Sequence, residues 1–350
     1  MHRRIADQSV GKWSVGFIWD QPTEGAAMTV ESGFDTMQAA VNVPPDDLRE
    51  ARRRRDLFRS ALESFEDVIE VRPSGSLARG THKNPVNDVD LVVVFRESDH
   101  EDWGVQGTSA LVALQHLRDQ ANEKLGSKGS GEVRHTRIRN HSVKCFLDDP
   151  DDTAGFTVDL TPAFAREGTS ILIPEQLNEK WVMSDPGFLI KRVAERHAEW
   201  NEFAKLVRVL KRWNTDHGQR MKSLTTEVLA LHLLPKGERP QSLASFFAAA
   251  QEAVWRPIVD PSGFCGEIEP NLDREAASAE LAKAADLAAR AVAAQSRDEG
   301  RTAQCLWAKL FGEVYPEPFG GCGSLISTTA SGAAAVAAVP KRRVVDSPQG

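Results

Sequence analysis

The stretch from Val71 to Phe95, "VRPSGSLARGTHKNPVNDVDLVVVF", constrains the fold more than any other part of the chain. Its end, Asp88–Phe95, is rich in valine and short enough to read as a strand. Alternate side chains on a strand share a face, so Asp88 and Asp90 project together, roughly 6.5–7 Å apart along the backbone. Val89, Leu91 and Val93 face the other way, toward a core. Two carboxylates on one face repel unless positive charge sits between them. A divalent cation does this, and Mg²⁺ is commonly held by one or two carboxylates plus substrate phosphates. Ahead of the strand, Gly75 lets the backbone approach a phosphate closely, and Ser76 offers a hydroxyl and an N–H. A short helix begun at "SLARG" would add further free N–H groups, and Gly80 and Thr81 would end that turn.

A third acid follows in "FTVDL". Phe156, Val158 and Leu160 form its apolar set, leaving Thr157 and Asp159 on the opposite face. If this strand lies beside the first, Asp88, Asp90 and Asp159 converge, a geometry that suits two ions. One would lower the pKa of an attacking hydroxyl and the other would clamp a polyphosphate and its leaving group. D-x-D alone and Gly-Ser alone are weak signals. Their combination, in this order, is specific. The structural alternative is a turn capped by Ser76 beside a solvated sheet edge.

The chain has 350 residues, enough for two lobes with separate cores. Its hydrophobic and charged contents, 41% and 27%, are those of a globular protein. A net charge of −7 argues against a long nucleic acid as main partner, because such binding leans on Lys and Arg contacts to phosphate. Cys145, Cys265, Cys305 and Cys322 include no C-x-x-C pair, so reduced thiols in a cytoplasmic protein are expected. No apolar run approaches the roughly 20 residues needed to span a bilayer. "WSVGFIW" near the start lacks a cleavage pattern, so no signal peptide is expected.

Hydrophobic spacing predicts a helix over Asp46–Phe65, capped by Asp46 or Asp47, whose run Arg52–Arg55 reads as an anion site or, more simply, a solvated face. Strands are predicted at Val68–Arg72, at Asp88–Phe95, in "EVRHTRIR", in "HSVKCFL" and in "FTVDLTPAF", with a helix at Leu111–Leu125. After Pro186 the texture becomes helical. One long amphipathic helix is expected over Gly187–Asn214, with Val193, His197, Trp200, Phe203, Val207 and Leu210 on its stripe. Further helices are expected at Leu224–Leu234, Ser242–Trp255, Leu272–Ala294 and Thr302–Phe311. The expected organisation is an N-terminal extension (1–33), a mixed strand-helix catalytic lobe (34–180), a helical lobe (181–319) and a flexible tail (320–350). The fold class is α+β, with a mixed sheet in the first lobe and a helical C-terminal lobe.

"GSLARGTHKNPVNDVDLVVVF" followed by "FTVDL" resembles the nucleotidyltransferase fold of DNA polymerase β. Within it, the likeness is to the bacterial cyclic GMP-AMP synthase/DncV-like nucleotidyltransferases of anti-phage systems, relatives of 2′-5′-oligoadenylate synthetase. It runs over roughly Ser32 to Pro318. "EFAKLVRVLKRWN" and "MKSLTTEVLALHLL" are similar to the family's Lys-bearing spine helix and its Ser-x-x-x-Glu helix. The resemblance implies that Lys211 and Ser223 reach a donor triphosphate; as plain residues they read as a surface charge and a helix cap. It also implies Mg²⁺, or Mn²⁺, as cofactor and nucleoside triphosphates, ATP among them, as substrates. The product implied is a cyclic di- or trinucleotide that activates effectors in anti-phage defence.

Asn87 stands where the family often has serine. No Cys and His cluster resembles the zinc ribbon of the animal enzyme. Some members have their C-terminal residue conjugated by a ubiquitin-like E1/E2 partner, and Gly350 invites the same expectation. His82 is a candidate to touch substrate or a solvated loop residue, and His197 is expected in the core. Trp181, Trp200 and Trp213 could stack a base, although tryptophan near helices usually packs. Two other functions fit the same residues. One is template-independent RNA or tRNA nucleotidyl transfer; the other is a non-catalytic nucleotide-binding module, against which the three intact aspartates argue.

Overall fold

A computed structural model describes residues 28–152 and 154–323. The expectations for "WSVGFIW" and for conjugation at Gly350 lie outside the described residues.

The first lobe is built on a mixed sheet of seven strands: β1 (Val68–Ser74), β2 (Asp88–Phe95), β3 (His135–Ile138), β4 (Val143–Phe146), β5 (Thr157–Ala165), β6 (Ile171–Glu175) and β7 (Lys180–Ser184). The order β1-β2-β5-β4-β3 is antiparallel except for the parallel pair β2/β5. β6 pairs with the far end of β5 at Phe164, and β7 pairs with β6. Among the described residues four α-helices, α1 (Val30–Val41), α2 (Pro45–Leu62), the five-residue α3 (Gly75–Arg79) and α4 (Ser109–Leu125), precede β3.

The alternation of β2 and β5 sorts their side chains as the sequence implies. Val89, Leu91, Val93, Val158 and Leu160 are buried in one core against Phe58 and Leu62 of α2 and Leu114 and Leu117 of α4. The opposite face carries the aspartates. Farther along it, Val92, Val94, Ala163, Ile171 and Ile173 form a small second core.

The helical lobe comprises α5 (Pro186–Glu199), α6 (Phe203–Asp216), α7 (Ser223–Leu233), α8 (Arg239–Ala253), α9 (Arg274–Ser296) and α10 (Gly300–Phe311). At its centre α7 is buried on every side from Leu224 to Leu231. The first helix belongs here too. Val30, Phe34, Met37 and Val41 of α1 are buried in the helical-lobe core, with Phe34 edge-on to Trp307 and Tyr315. Gly33 admits this approach, since a β-carbon there would stand 2.5 Å from the Tyr315 hydroxyl oxygen.

Several sequence expectations need correction. The single helix predicted over Gly187–Asn214 is two, because Trp200 is extended (φ −154°, ψ 105°) and its side chain turns into the core. No Gly or Pro marks this break. With the helix ending there, His197 lies in the exposed last turn of α5 rather than in the core. Neither Asp46 nor Asp47 caps α2. Pro45 opens the helix, and both acids lie in its first turn, where they face the positive end of the helix dipole. In the Arg52–Arg55 run, Arg53 and Arg54 pair with Glu50 and Arg55 with Asp56, and Arg54 also lies 4.4 Å over the Phe156 ring, so these three charges are taken up within the lobe.

The cysteines are not all thiols: Cys305 and Cys322 form a disulfide, and Cys145 and Cys265 are free. The 17-residue spacing hid the pair. It closes because the chain turns back after α10, where Arg301 donates to the carbonyls of Gly320 and Gly321. Among the described residues no helix is long and apolar enough to cross a membrane.

Candidate active site

Strand register brings the acids together. Ser74 pairs with Asp90, Asp90 with Asp159, Asp159 with Lys144 and Lys144 with Arg137, one row across five strands. Asp88 sits two positions along β2, opposite Thr157. Burial, and then the like charges of Asp88 and Asp159, push the Asp90 carboxyl up to about 7, against the pull of Arg79 and Lys144. Burial also raises Asp159, opposed chiefly by Lys144. The Lys144 ammonium donates to Asp159 Oδ2 at 3.1 Å, and the Ser142 hydroxyl to Oδ1 at 3.2 Å. Asp90 and Asp159, paired across β2 and β5 and both held above their ordinary values, with Asp88 two positions along β2, offer oxygen donors of the kind that suits a hard divalent cation.

The turn before β2 is fitted around Asp90. Gly75 has φ +67°, a conformation that side chains rarely adopt, and a β-carbon there would fall 1.6 Å from Asp90 Oδ2. α3 then runs for one turn and ends at Gly80 in the left-handed conformation (φ 69°), with the Thr81 N–H bonded to the Ser76 carbonyl. Ser76 opens on a cavity of about 200 Å³ that Asp88, Lys83, Lys211 and Ser223 also line. Of the three acids only Asp88 lines this cavity; larger cavities lie elsewhere, one beside α1 and α10 and one between α4 and β3, and they contain none of the three.

The helical lobe supplies the far wall. Lys211 of α6 is 2% exposed, and its ammonium lies 2.6 Å from Glu227 Oε2 and 3.2 Å from both the carbonyl and the hydroxyl of Thr81. Glu227 also accepts from Arg79 Nε at 2.7 Å and from the Thr81 hydroxyl at 2.8 Å. Burial alone would raise the Glu227 carboxyl, but Arg79 and Lys211 override it and hold it at about 2. This buried cluster joins α3 of the first lobe to α6 and α7 of the second. Ser223 is the first residue of α7 and is exposed at the cavity, while Lys222 occupies the cap position.

Some residues of the site were not read from the sequence. Lys144 and Ser142 lie on the polar face of "HSVKCFL", and that alternation was the available signal. Half-buried Lys83 faces the cavity, its ammonium pulled down by burial and by Arg212. His82 also lines it; burial and Arg208 lower its imidazole to about 4, so it is neutral at neutral pH, and its Nδ1 has no hydrogen-bond partner. The tryptophans pack. Trp181, on β7, stacks on Phe164 and donates to Ser109, Trp213 meets Phe247 and His217, and Trp200 is buried.

A family profile described as a nucleotidyltransferase domain matches residues 55–139, which contain Gly75, Ser76, Asp88 and Asp90. Among curated proteins, a probable cyclic nucleotide synthase of Bacillus cereus is 23% identical over 330 residues, covering 82% of this chain and 98% of that one. A cyclic AMP-AMP-AMP synthase of Escherichia coli is 28% identical over 226 residues (59% of this chain, 66% of that one). A CCA-adding enzyme of Methanopyrus kandleri is 27% identical over 264 residues, covering 70% of this chain but 47% of that one. Among solved structures, the E. coli MS115-1 CdnC + ATP structure superposes with a TM-score of 0.65 at 19% identity, covering 83% of this chain and 99% of that one. The fold expected from the sequence is therefore the fold found.

Proposed function

We infer that this chain, whose fold is that of the bacterial cyclic-nucleotide synthases among the polymerase-β-like nucleotidyltransferases, makes a cyclic oligonucleotide second messenger from nucleoside triphosphates, in anti-phage defence. The observation that carries the site assignment is the register that sets Asp90 opposite Asp159, with Asp88 two residues along and Gly75 packed on Asp90. A 3′- or 2′-hydroxyl of one nucleotide attacks the α-phosphate of another. The new oxygen–phosphorus bond forms as the bond to the β-phosphate breaks, and pyrophosphate leaves.

Asp88, Asp90 and Asp159 are the residues that would hold divalent cations, Mg²⁺ by their oxygen donors. Such cations supply charge neutralisation and a more acidic hydroxyl. Asp159 accepts the hydroxyl proton. Gly75 and Ser76 place backbone and hydroxyl donors against the triphosphate. Lys83 and Ser223 face it across the cavity, and Lys211 supports that wall through its ion pair with Glu227. Fixed donors of this kind stabilise developing charge without reorganising during the reaction. Further rounds of the same displacement on the linear intermediate, one pyrophosphate released per linkage, close the ring.

The test is incubation of the purified protein with labelled ATP, GTP, CTP and UTP plus Mg²⁺ or Mn²⁺, with an RNA primer in a parallel arm. The reading expects a phosphatase-resistant product whose mass gives its bases and ring size. The similarity to a CCA-adding enzyme favours one competitor, template-independent RNA extension. Primer extension without a resistant product would establish that instead.

A further inference from the structure

A second constellation of metal-ligand type lies at the far end of β2, away from the aspartates. Asp67 precedes β1, whose Val68 pairs with Phe95, seven residues along β2 from Asp88. His100 follows that strand and His116 is on α4. Both imidazole Nε2 atoms converge on one oxygen, Asp67 Oδ2, at 3.0 Å and 2.7 Å. All three potential ligand atoms lie within 4.8 Å of one another. Gln120, one helical turn after His116, donates to Asp67 Oδ1 at 2.9 Å and fixes the carboxylate. His100 is held flat against Trp103, ring centroids 3.8 Å apart, and both histidines meet the edge of Phe95.

We propose that Asp67, His100 and His116 form a site for a borderline transition-metal ion, Zn²⁺ by ligand class, distinct from the catalytic aspartates. Bonds of about 2.0–2.1 Å at tetrahedral angles put ligand atoms about 3.3 Å apart; the two Asp67–histidine separations, 3.0 Å and 2.7 Å, need a short adjustment to that spacing, and all three atoms already lie within 4.8 Å of one another. Two imidazole nitrogens and one carboxylate select Zn²⁺, Co²⁺ or Ni²⁺ over Mg²⁺, which prefers oxygen. Gln120 is the outer partner that orients a ligating carboxylate. The His116 side chain is 37% exposed, leaving a solvent side for a water as fourth ligand. The three ligands come from the approach to β1, the connection after β2 and α4, so the ion ties that connection to the sheet.

The test uses the full chain carrying Asp90→Asn, which disables the catalytic acids, and the same chain with His116→Ala or Asp67→Asn added. Zn²⁺ is titrated against a chromophoric chelator, and Co²⁺ alone is followed by its visible absorption. One Zn²⁺ per chain, a four-coordinate Co²⁺ spectrum, and affinity at least about 100-fold weaker in either added variant are expected. Far-UV circular dichroism in the absence of metal checks folding, and Asp67→Asn, which keeps the side chain's size, decides the matter if His116→Ala does not fold. Absence of stoichiometric Zn²⁺, or binding unchanged by both substitutions, overturns the proposal. The readout is metal binding, so it is independent of whether the catalytic reading holds.

Discussion

The Asp90 carboxylate occupies the space in which Gly75 would carry a β-carbon, 1.6 Å from Oδ2, while Gly75 itself sits at φ +67°. Any side chain at position 75 must displace either the turn or the acid. Gly75→Ala should therefore lower turnover by more than about 100-fold, the cost of moving a reacting group by about 1 Å. Pyrophosphate release measures this, and a rate within a few-fold of wild type would separate Gly75 from the active site.

Asp90→Asn removes charge from a place where charge is costly. Burial and the neighbouring Asp88 and Asp159 already push that carboxyl up to about 7. Turnover should be abolished, whereas the thermal midpoint without added metal should hold or rise. Retained product formation would refute the assigned cation site; a large fall in midpoint would refute the electrostatic account.

Glu227 should behave in the opposite way. Its removal strands Arg79 and Lys211 in the interior, and breaking a buried pair from one side typically costs about 3–5 kcal/mol. Glu227→Gln should destabilise by that order in urea unfolding. The pH dependence follows from the direction of the shift. The folded carboxyl, at about 2, lies below its ordinary 4.5, so its contribution is present above about 4.5 and is lost as pH falls toward 2. Wild type should weaken through that window, and the difference from Glu227→Gln should shrink there. A constant difference would mean that ionisation of Glu227 does not stabilise the fold.

The Cys305–Cys322 bond predicts two titratable thiols, Cys145 and Cys265, in protein denatured without reductant, and four after reduction. Closing a loop of about this length contributes roughly 3 kcal/mol in the chain-entropy account. Cys322→Ser should lower the thermal midpoint of non-reduced protein and leave reduced protein unchanged. Four thiols before reduction would contradict the bond.

What could be read from the sequence, and what could not, follows from the range of the interactions. The period of two in β2 and β5 placed the acids on one face without any tertiary information, because strand alternation is local. Their pairing across β2 and β5 is not local, and the sequence could state it only as a condition. The break at Trp200 left no mark, since Trp, Asn and Glu are all compatible with a helix and burial of the indole decides the turn. β6 and β7 were missed because five-residue strands, one containing Pro174, carry too little alternation to stand out. Lys211 was singled out as a triphosphate ligand, but its pairing with Glu227 depends on how α6 and α7 cross. Arg79 had no reason to be noticed at all until both lobes were in place.

The chain's route between the lobes bears on how the cleft can open. α1 is packed in the helical lobe, the sheet follows, and α5 returns to the helical lobe. Among the described residues the sheet-bearing unit is thus an insertion, joined to its neighbour by two crossings, one at Asn42–Pro44 and one at Ser184–Pro186, each carrying a proline. A unit tethered once can swing like a flap about any axis through its hinge. A unit tethered twice turns freely only about the line joining the two crossings. Opening of the cleft would then be confined to one rotational degree of freedom, its axis set by the path of the chain, and would have to break or carry with it the buried Arg79–Glu227–Lys211 contacts between the lobes.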